Sequence, residues 1–270
     1  MSGRRSIATA ALAVLCSTAL FADVTITQTM SLEGPATMPA GQMPKVVTRI
    51  KGMKARTDVE TIGQTVSAIM DATGRQVIVL QSATKSATIV TAPVPPEGAP
   101  PKSPGSLSVE FKPTGQSRMF NDMSCEELTV AISFDFSDPS AQLPPEAAAF
   151  LKDVRIRASG SVWFAKSAPG AADFVAFQKA AVDANLVSPL AALSPGSTGG
   201  MDKLWASLQS IPGVPCMSEM TMAFEGSGPT VDMMKQQGPI KIIQKTDAIS
   251  ADPLPDDIFT IPADYKVEKK

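Results

Sequence analysis

The sequence predicts a mainly β (α+β) protein, an antiparallel sheet with two or three helices added late in the chain. Two observations carry this. Short runs of alternating apolar and polar residues recur between glycine, proline and Asx turn signals. Two stretches after residue 170 instead place apolar residues at helical spacing.

The first residues concern export. Arg4 and Arg5 precede an apolar run, Ala8 to Ala22, that ends in small residues. Such a run has the flanks of a secretory signal peptide and falls short of the roughly 20 residues needed to span a bilayer. Residues 1–22 are therefore expected to be a signal peptide, and 23–270 a single domain. The expected location is periplasmic or extracellular. A lipid anchor on Cys16 is not expected, because Leu15 before it is not small. Losing Arg4 and Arg5 takes the 24 basic residues to 22 against 26 acidic, a balance of −4. No basic patch points to nucleic acid, and no second apolar run points to a transmembrane anchor in the mature chain.

Three cysteines are present, and Cys16 leaves with the signal. The remaining pair, Cys125 and Cys216, is expected to form a disulfide in an oxidising compartment. Its long loop makes it worth about 4 kcal/mol on the chain-entropy model. Two separate buried thiols are the alternative. Histidine is absent, which removes the commonest general base and metal ligand. With two mature cysteines, zinc and iron–sulfur sites are not expected, and no cofactor is implied.

Taken in order, Asp23 to Leu32 alternates, with Val24, Ile26, Met30 and Leu32 on one face and Gln28 as its polar exception. Lys45 to Glu60 carries Val46, Val47, Ile50, Met53 and Val59, interleaved with Lys51, Lys54 and Arg56. That basic cluster reads as a solvated strand face, with an anionic head group as the alternative. SAIMD, RQVIVLQ and SATIV follow as a meander punctuated at Gly63, Asp71 to Gly74, and Thr84-Lys85. Residues 92–105 form a Pro-rich loop, since proline lacks the ladder donor.

LSVEF resumes the pattern before Cys125 to Phe136. There Leu128, Val130, Ile132, Phe134 and Phe136 share one face, so this strand is expected in the middle of the sheet. Pro144 and Pro145 mark a helix start, and Arg155 to Lys166 returns to strand with Trp163 near its end. Ala171 to Leu186 is the first principal helix. Met201, Leu204, Trp205, Leu208 and Ile211 form the stripe of a second, which ends at Pro212-Gly213. Strands follow at Cys216 to Gly226 and Ile240 to Ser250, joined by a linker through Pro229 and Met233-Met234. About ten strands are expected in all.

Four stretches resemble exported bacterial proteins of the outer-membrane lipoprotein carrier (LolA/LolB-like) superfamily. They are KGMKARTDVE, TGQSRMFNDMSCEELTV, VWFAKSAPGAADFVAF and the closing PDDIFTIPADYKV. Asn121-Asp122 stand where a glycine is more usual. The resemblance implies a curved antiparallel half-barrel with helices across its concave face, and a cavity that carries acyl chains or lipoproteins.

The expected function is accordingly an exported envelope protein that binds lipid or another apolar ligand. The candidate cavity residues are Val130, Ile132, Phe134, Trp163, Leu204, Trp205, Leu208, Met220 and Met222. Methionine adapts to irregular apolar shapes, and thirteen of the fourteen methionines follow Met1. The alternative is a structural or interaction module whose Pro-rich loop or sheet edge meets an envelope protein. No enzyme is expected. Asp71, Glu126, Glu127, Asp256 and Asp257 lack catalytic spacing, and Gly196 to Gly200 lacks the Lys-Ser/Thr ending of a phosphate loop.

Overall fold

A computed structural model describes residues 23–34, 44–61, 63–92, 106–135, 153–186, 207, 211, 213–236 and 238–269. The proposed signal peptide, nearly all of the Pro-rich loop, and Leu204, Trp205 and Leu208 lie outside these residues.

The described chain is mainly β. Its strands are β1 (Val24–Glu33), β2 (Lys45–Lys51), β3 (Lys54–Thr61), β4 (Gln64–Asp71), β5 (Gln76–Gln81), β6 (Ser86–Thr91), β7 (Ser106–Phe120), β8 (Met123–Asp135), β9 (Val154–Ala165), β10 (Val214–Gly226), β11 (Ile240–Ser250) and β12 (Lys266–Lys269). They form one open sheet in the order β12-β6-β5-β4-β3-β2-β1-β11-β10-β9-β8-β7. Every pairing is antiparallel except β12 on β6. Two helices lie among the described residues, α1 (Ala171–Asp183) and α2 (Pro229–Gln236). Neither is long and apolar enough to cross a membrane.

Three expectations are corrected. Strand β8 is not central but sits beside the edge strand β7, while β2 and β1 pair at the centre. The breadth of a strand's apolar face does not set its place in the order; here β7 pairs with β8 through a tight hairpin and has no second neighbour among the described residues. The strands number twelve rather than about ten. Lys45 to Glu60 is folded back at Gly52-Met53 into two of them, and the C-terminal residues add β12. The linker through Pro229 is α2, with proline at its first position, where its missing N–H costs nothing.

The β7–β8 turn explains the absent glycine. Asn121 and Asp122 both have positive φ, 47° and 63°, and join Phe120 to Met123 directly. Two-residue hairpins demand this conformation, and Asn and Asp adopt it more readily than other side-chain-bearing residues. The Asn121 side chain also donates to the Thr246 carbonyl at 2.8 Å, tying the turn to β11.

Helix α1 begins at Gly170, whose φ is 69°. A Cβ there would lie 2.3 Å from Val24 Cγ2, so helix and β1 meet at a point only glycine allows. Asn185, at φ 55°, closes the other end as the Leu186 N–H returns to the Ala181 carbonyl at 2.8 Å. Phe177 and Ala181, one turn apart, are buried with Val24, Ile26, Ile50, Val77 and Val79 in one cluster.

The opposite face of β4–β6 packs a second cluster. Ile69, Leu80 and Ala87 are covered by Phe259, Leu254, Ile258, Ile261 and Tyr265 from the C-terminal segment. This accounts for the nearly unbroken apolar run of β5, which is buried on both sides.

Candidate functional site

Strands β7 to β11 and the end of β1 have two faces of opposite chemistry. Side chains directly paired across strands share a face. One row on the first face reads Phe111, Val130, Gly160, Met220, Ile242, Leu32. The row above it reads Val109, Ile132, Ala158, Met222, Ile240, and the next Leu107, Phe134, Ile156, Phe224. Below lies Pro113, Leu128, Val162, Ser218, Gln244, Met30. No charged residue stands in these rows.

The intervening residues make the second face. Its rows include Glu110, Ala131, Ser159, Thr221, Lys241, Glu33 and, further along, Asp135, Arg155, Glu225. Ion pairs join Lys112 to Glu110, Arg155 to Asp135, Arg157 to Glu225 and Lys241 to Glu219, each at 2.8 Å. The Glu219 hydrogen bond, with the charges of Glu219 and Glu33, holds the Lys241 ammonium above the ordinary lysine range. A shallow depression of about 320 Å³ lies among Glu110, Lys112, Thr129, Ala131 and Ser159 on this side.

The uncharged face is half-buried. Val130 is buried, while Ile132, Phe134, Met220, Met222, Ile156 and Ile242 are intermediate. None of these belongs to either buried cluster. At its middle, Gly160 permits β10 to approach β9 closely, since a Cβ would lie 1.8 Å from the Glu219 carbonyl oxygen.

Five of the residues expected to line a cavity therefore come together: Val130, Ile132, Phe134, Met220 and Met222. Trp163 does not join them. It pairs with Glu127 and Met217, so it points to the other side of β9. There it meets the Phe120 ring edge-on at 5.5 Å and packs on the core that holds Cys125. The odd spacing between Trp163 and Ile156, Ala158 and Val162 is the signal that separates them.

Cys125 and Cys216 are bonded, with their Cα atoms 6.6 Å apart. Both are buried, at 0% and 1% exposure, in the cluster with Phe177 and Ala181. Cys125 lies five residues from Val130 in an uninterrupted strand, hence on the opposite face. The bond thus joins the core of α1, not the uncharged face. An irregularity between Pro215 and Met217 shifts the phase of β10. It lets Cys216 join that core while Met220, Met222 and Phe224 face the other way.

Between the α1 core and the uncharged face sits a polar relay that the sequence reading passed over, apart from Gln28. Gln244 Nε2 donates to Gln28 Oε1 at 2.8 Å, and Gln28 Nε2 donates to Thr246 Oγ1 at 3.1 Å. The Thr246 hydroxyl donates to the Pro215 carbonyl. Gln28 and Thr246 are buried, at 7% and 1% exposure.

The basic cluster of β2–β3 is engaged internally. Lys51 pairs with Asp256 at 2.8 Å and donates to the Leu254 carbonyl at 2.6 Å. Arg56 donates to the Ile258 carbonyl at 2.9 Å and pairs with Asp58, as does Arg49. Burial opposes the Asp58 charge, but hydrogen bonds from Ser67 and Arg56 and the two guanidinium charges hold its carboxyl below the usual range. Lys51 and Arg56 thereby fasten the C-terminal segment to the sheet.

No family model matches the sequence, and no curated protein sequence matches it. Among solved structures, the chain is similar to PNGF-II at 10% identity and a TM-score of 0.37, over 92% of this chain and 32% of that one. It thus spans about a third of PNGF-II. It is also similar to the LolA superfamily protein NE2245 from Nitrosomonas europaea at 8% identity and a TM-score of 0.28, over 89% and 90% of the two chains. Both scores fall below one half, so the functional reading rests on this chain's own faces.

Proposed function

We propose that this chain is an exported, non-catalytic envelope protein that holds a lipid or another apolar ligand against the uncharged face of β7–β11. One observation carries the reading. Across six neighbouring strands four successive rows on one side hold no charged residue, while the other side is laced with ion pairs. A solvated antiparallel sheet puts polar residues toward water, so the uncharged side is meant for an apolar contact. Met30, Met220 and Met222 give that side an adaptable surface. The buried disulfide agrees with export, because such bonds persist in oxidising compartments.

The protein purified from its native host, extracted and analysed by mass spectrometry, is expected to yield an enriched lipid or apolar compound. Recovery of none would overturn the reading. It would favour the alternative of a protein-interaction module, supported by the 15-residue edge strand β7.

A further inference from the structure

The relay at the border of the uncharged face has a direction, and that direction selects a ligand. We infer that the bound molecule is a neutral amphiphile bearing a hydroxyl or amide N–H, which donates to Gln244 while its chain lies on the apolar rows. This rests on the apolar-ligand reading above.

The direction follows from chemistry. The Pro215 carbonyl can only accept, so the Thr246 hydroxyl donates to it and in turn accepts from Gln28 Nε2. That turns Gln28 Oε1 toward Gln244, whose Nε2 donates to it. The Gln244 carbonyl Oε1 is left as the end of the relay, and among the described residues no donor reaches it. Gln28 and Thr246 are more than nine-tenths buried, so the relay is fixed from within and cannot reverse.

Gln244 pairs with Met30 on one side and Ser218 on the other, with Ile242 two residues along its strand. It therefore presents an acceptor at the margin of the uncharged rows. A carboxylate or phosphate is itself an acceptor and would meet no cation in these rows. An ester without a hydroxyl leaves the carbonyl unpaired. Gln244 is half-buried, so the preference for a molecule that supplies a donor is worth one ordinary hydrogen bond.

The test uses the full mature chain loaded with Nile red, an uncharged dye. Monolauroylglycerol, methyl laurate and laurate are compared as competitors below their micelle concentrations. Monolauroylglycerol is expected to displace the dye at about tenfold lower concentration than methyl laurate, the worth of one hydrogen bond, with laurate weakest. Gln244→Leu is expected to erase that gap and leave methyl laurate unchanged, and Gln244→Met serves if the leucine variant misfolds. Equal displacement by all three, preference for laurate, or a gap that survives both variants overturns the inference yet leaves an apolar site. If neither dye nor competitors bind, the apolar-ligand reading falls as well.

Discussion

The two halves of the sheet solve the problem of a two-sided surface differently. In β2–β5 one face joins the α1 core, and on β4–β6 the C-terminal segment covers the other. Lys51 and Arg56 bond that segment directly, and Asp58 pairs with Arg56 and Arg49 beside them. In β7–β11 one face is an ion-paired exterior except where Cys125, Trp163 and Cys216 enter the α1 core, and the other carries four uncharged, half-buried rows outside both core clusters. The α1 core draws on both halves, through Ile50, Val77 and Val79 on one side and Cys125, Ala165 and Val214 on the other, whereas the uncharged rows join neither cluster. On the proposed reading this difference makes the first half the scaffold and the second the site.

The largest expected effect is on the link between the halves. Cys125 and Cys216 belong to β8 and β10, yet they are buried with α1, Val24 and Ile50. Replacing both with alanine is expected to cost about 4 kcal/mol, because the bond closes a sequence separation of 91 residues. Urea unfolding of the oxidised and variant proteins measures it. A loss confined to β7–β10 by hydrogen exchange, with β2–β6 protection retained, would sharpen the division. Uniform loss of protection would show that the halves unfold as one.

A matched pair of substitutions tests the two faces directly. Thr221 and Met222 are adjacent in β10 and point to opposite sides. Met222→Glu is expected to cost about 3 kcal/mol, from lost apolar contact and the burial of a carboxyl group, and to abolish Nile red binding. Thr221→Glu stands beside Lys241 and is expected to stay within about 0.5 kcal/mol with dye binding intact. Thermal unfolding and dye titration read both outcomes. Similar costs for the two variants would break the contrast.

Much of the fold was legible strand by strand, because a period of two is written into each segment. Val130, Ile132 and Phe134 were assigned to one wall, as were Met220 and Met222. What a single strand does not encode is its partner. Strand β8 reads as central from its apolar breadth, yet its place beside β7 is set by pairing. Trp163 was assigned to the wall by its bulk, whereas its parity along β9 puts it with Cys125. The relay escaped notice because Gln28, Gln244 and Thr246 are up to 218 residues apart in sequence and meet only through the register of β1 on β11. Gln28 alone showed a signal, as a polar residue in an apolar alternation.

The smallest effect concerns the scaffold half and is read in its pH dependence. Asp58 is buried between Arg49 and Arg56, and its carboxyl is held below its ordinary value. A group depressed in the folded state contributes stability that is complete above its unfolded pKa, about 3.9 for aspartate. That contribution disappears as pH falls through the lower folded value. Asp58→Asn is therefore expected to lose about 2 kcal/mol at neutral pH, where charge-assisted hydrogen bonds to two arginines are weakened. Below about pH 3.9 the gap between variant and parent should narrow, because the parent's unfolded carboxyl then takes up a proton that the folded one resists. Fastening of the C-terminal segment also depends on this group, since Arg56 donates to both Asp58 and the Ile258 carbonyl. Dye affinity at β7–β11 should stay unchanged in the same variant. A fall in dye binding that tracks the loss at Asp58 would show that the two halves are coupled, and the separation of scaffold from site would fail.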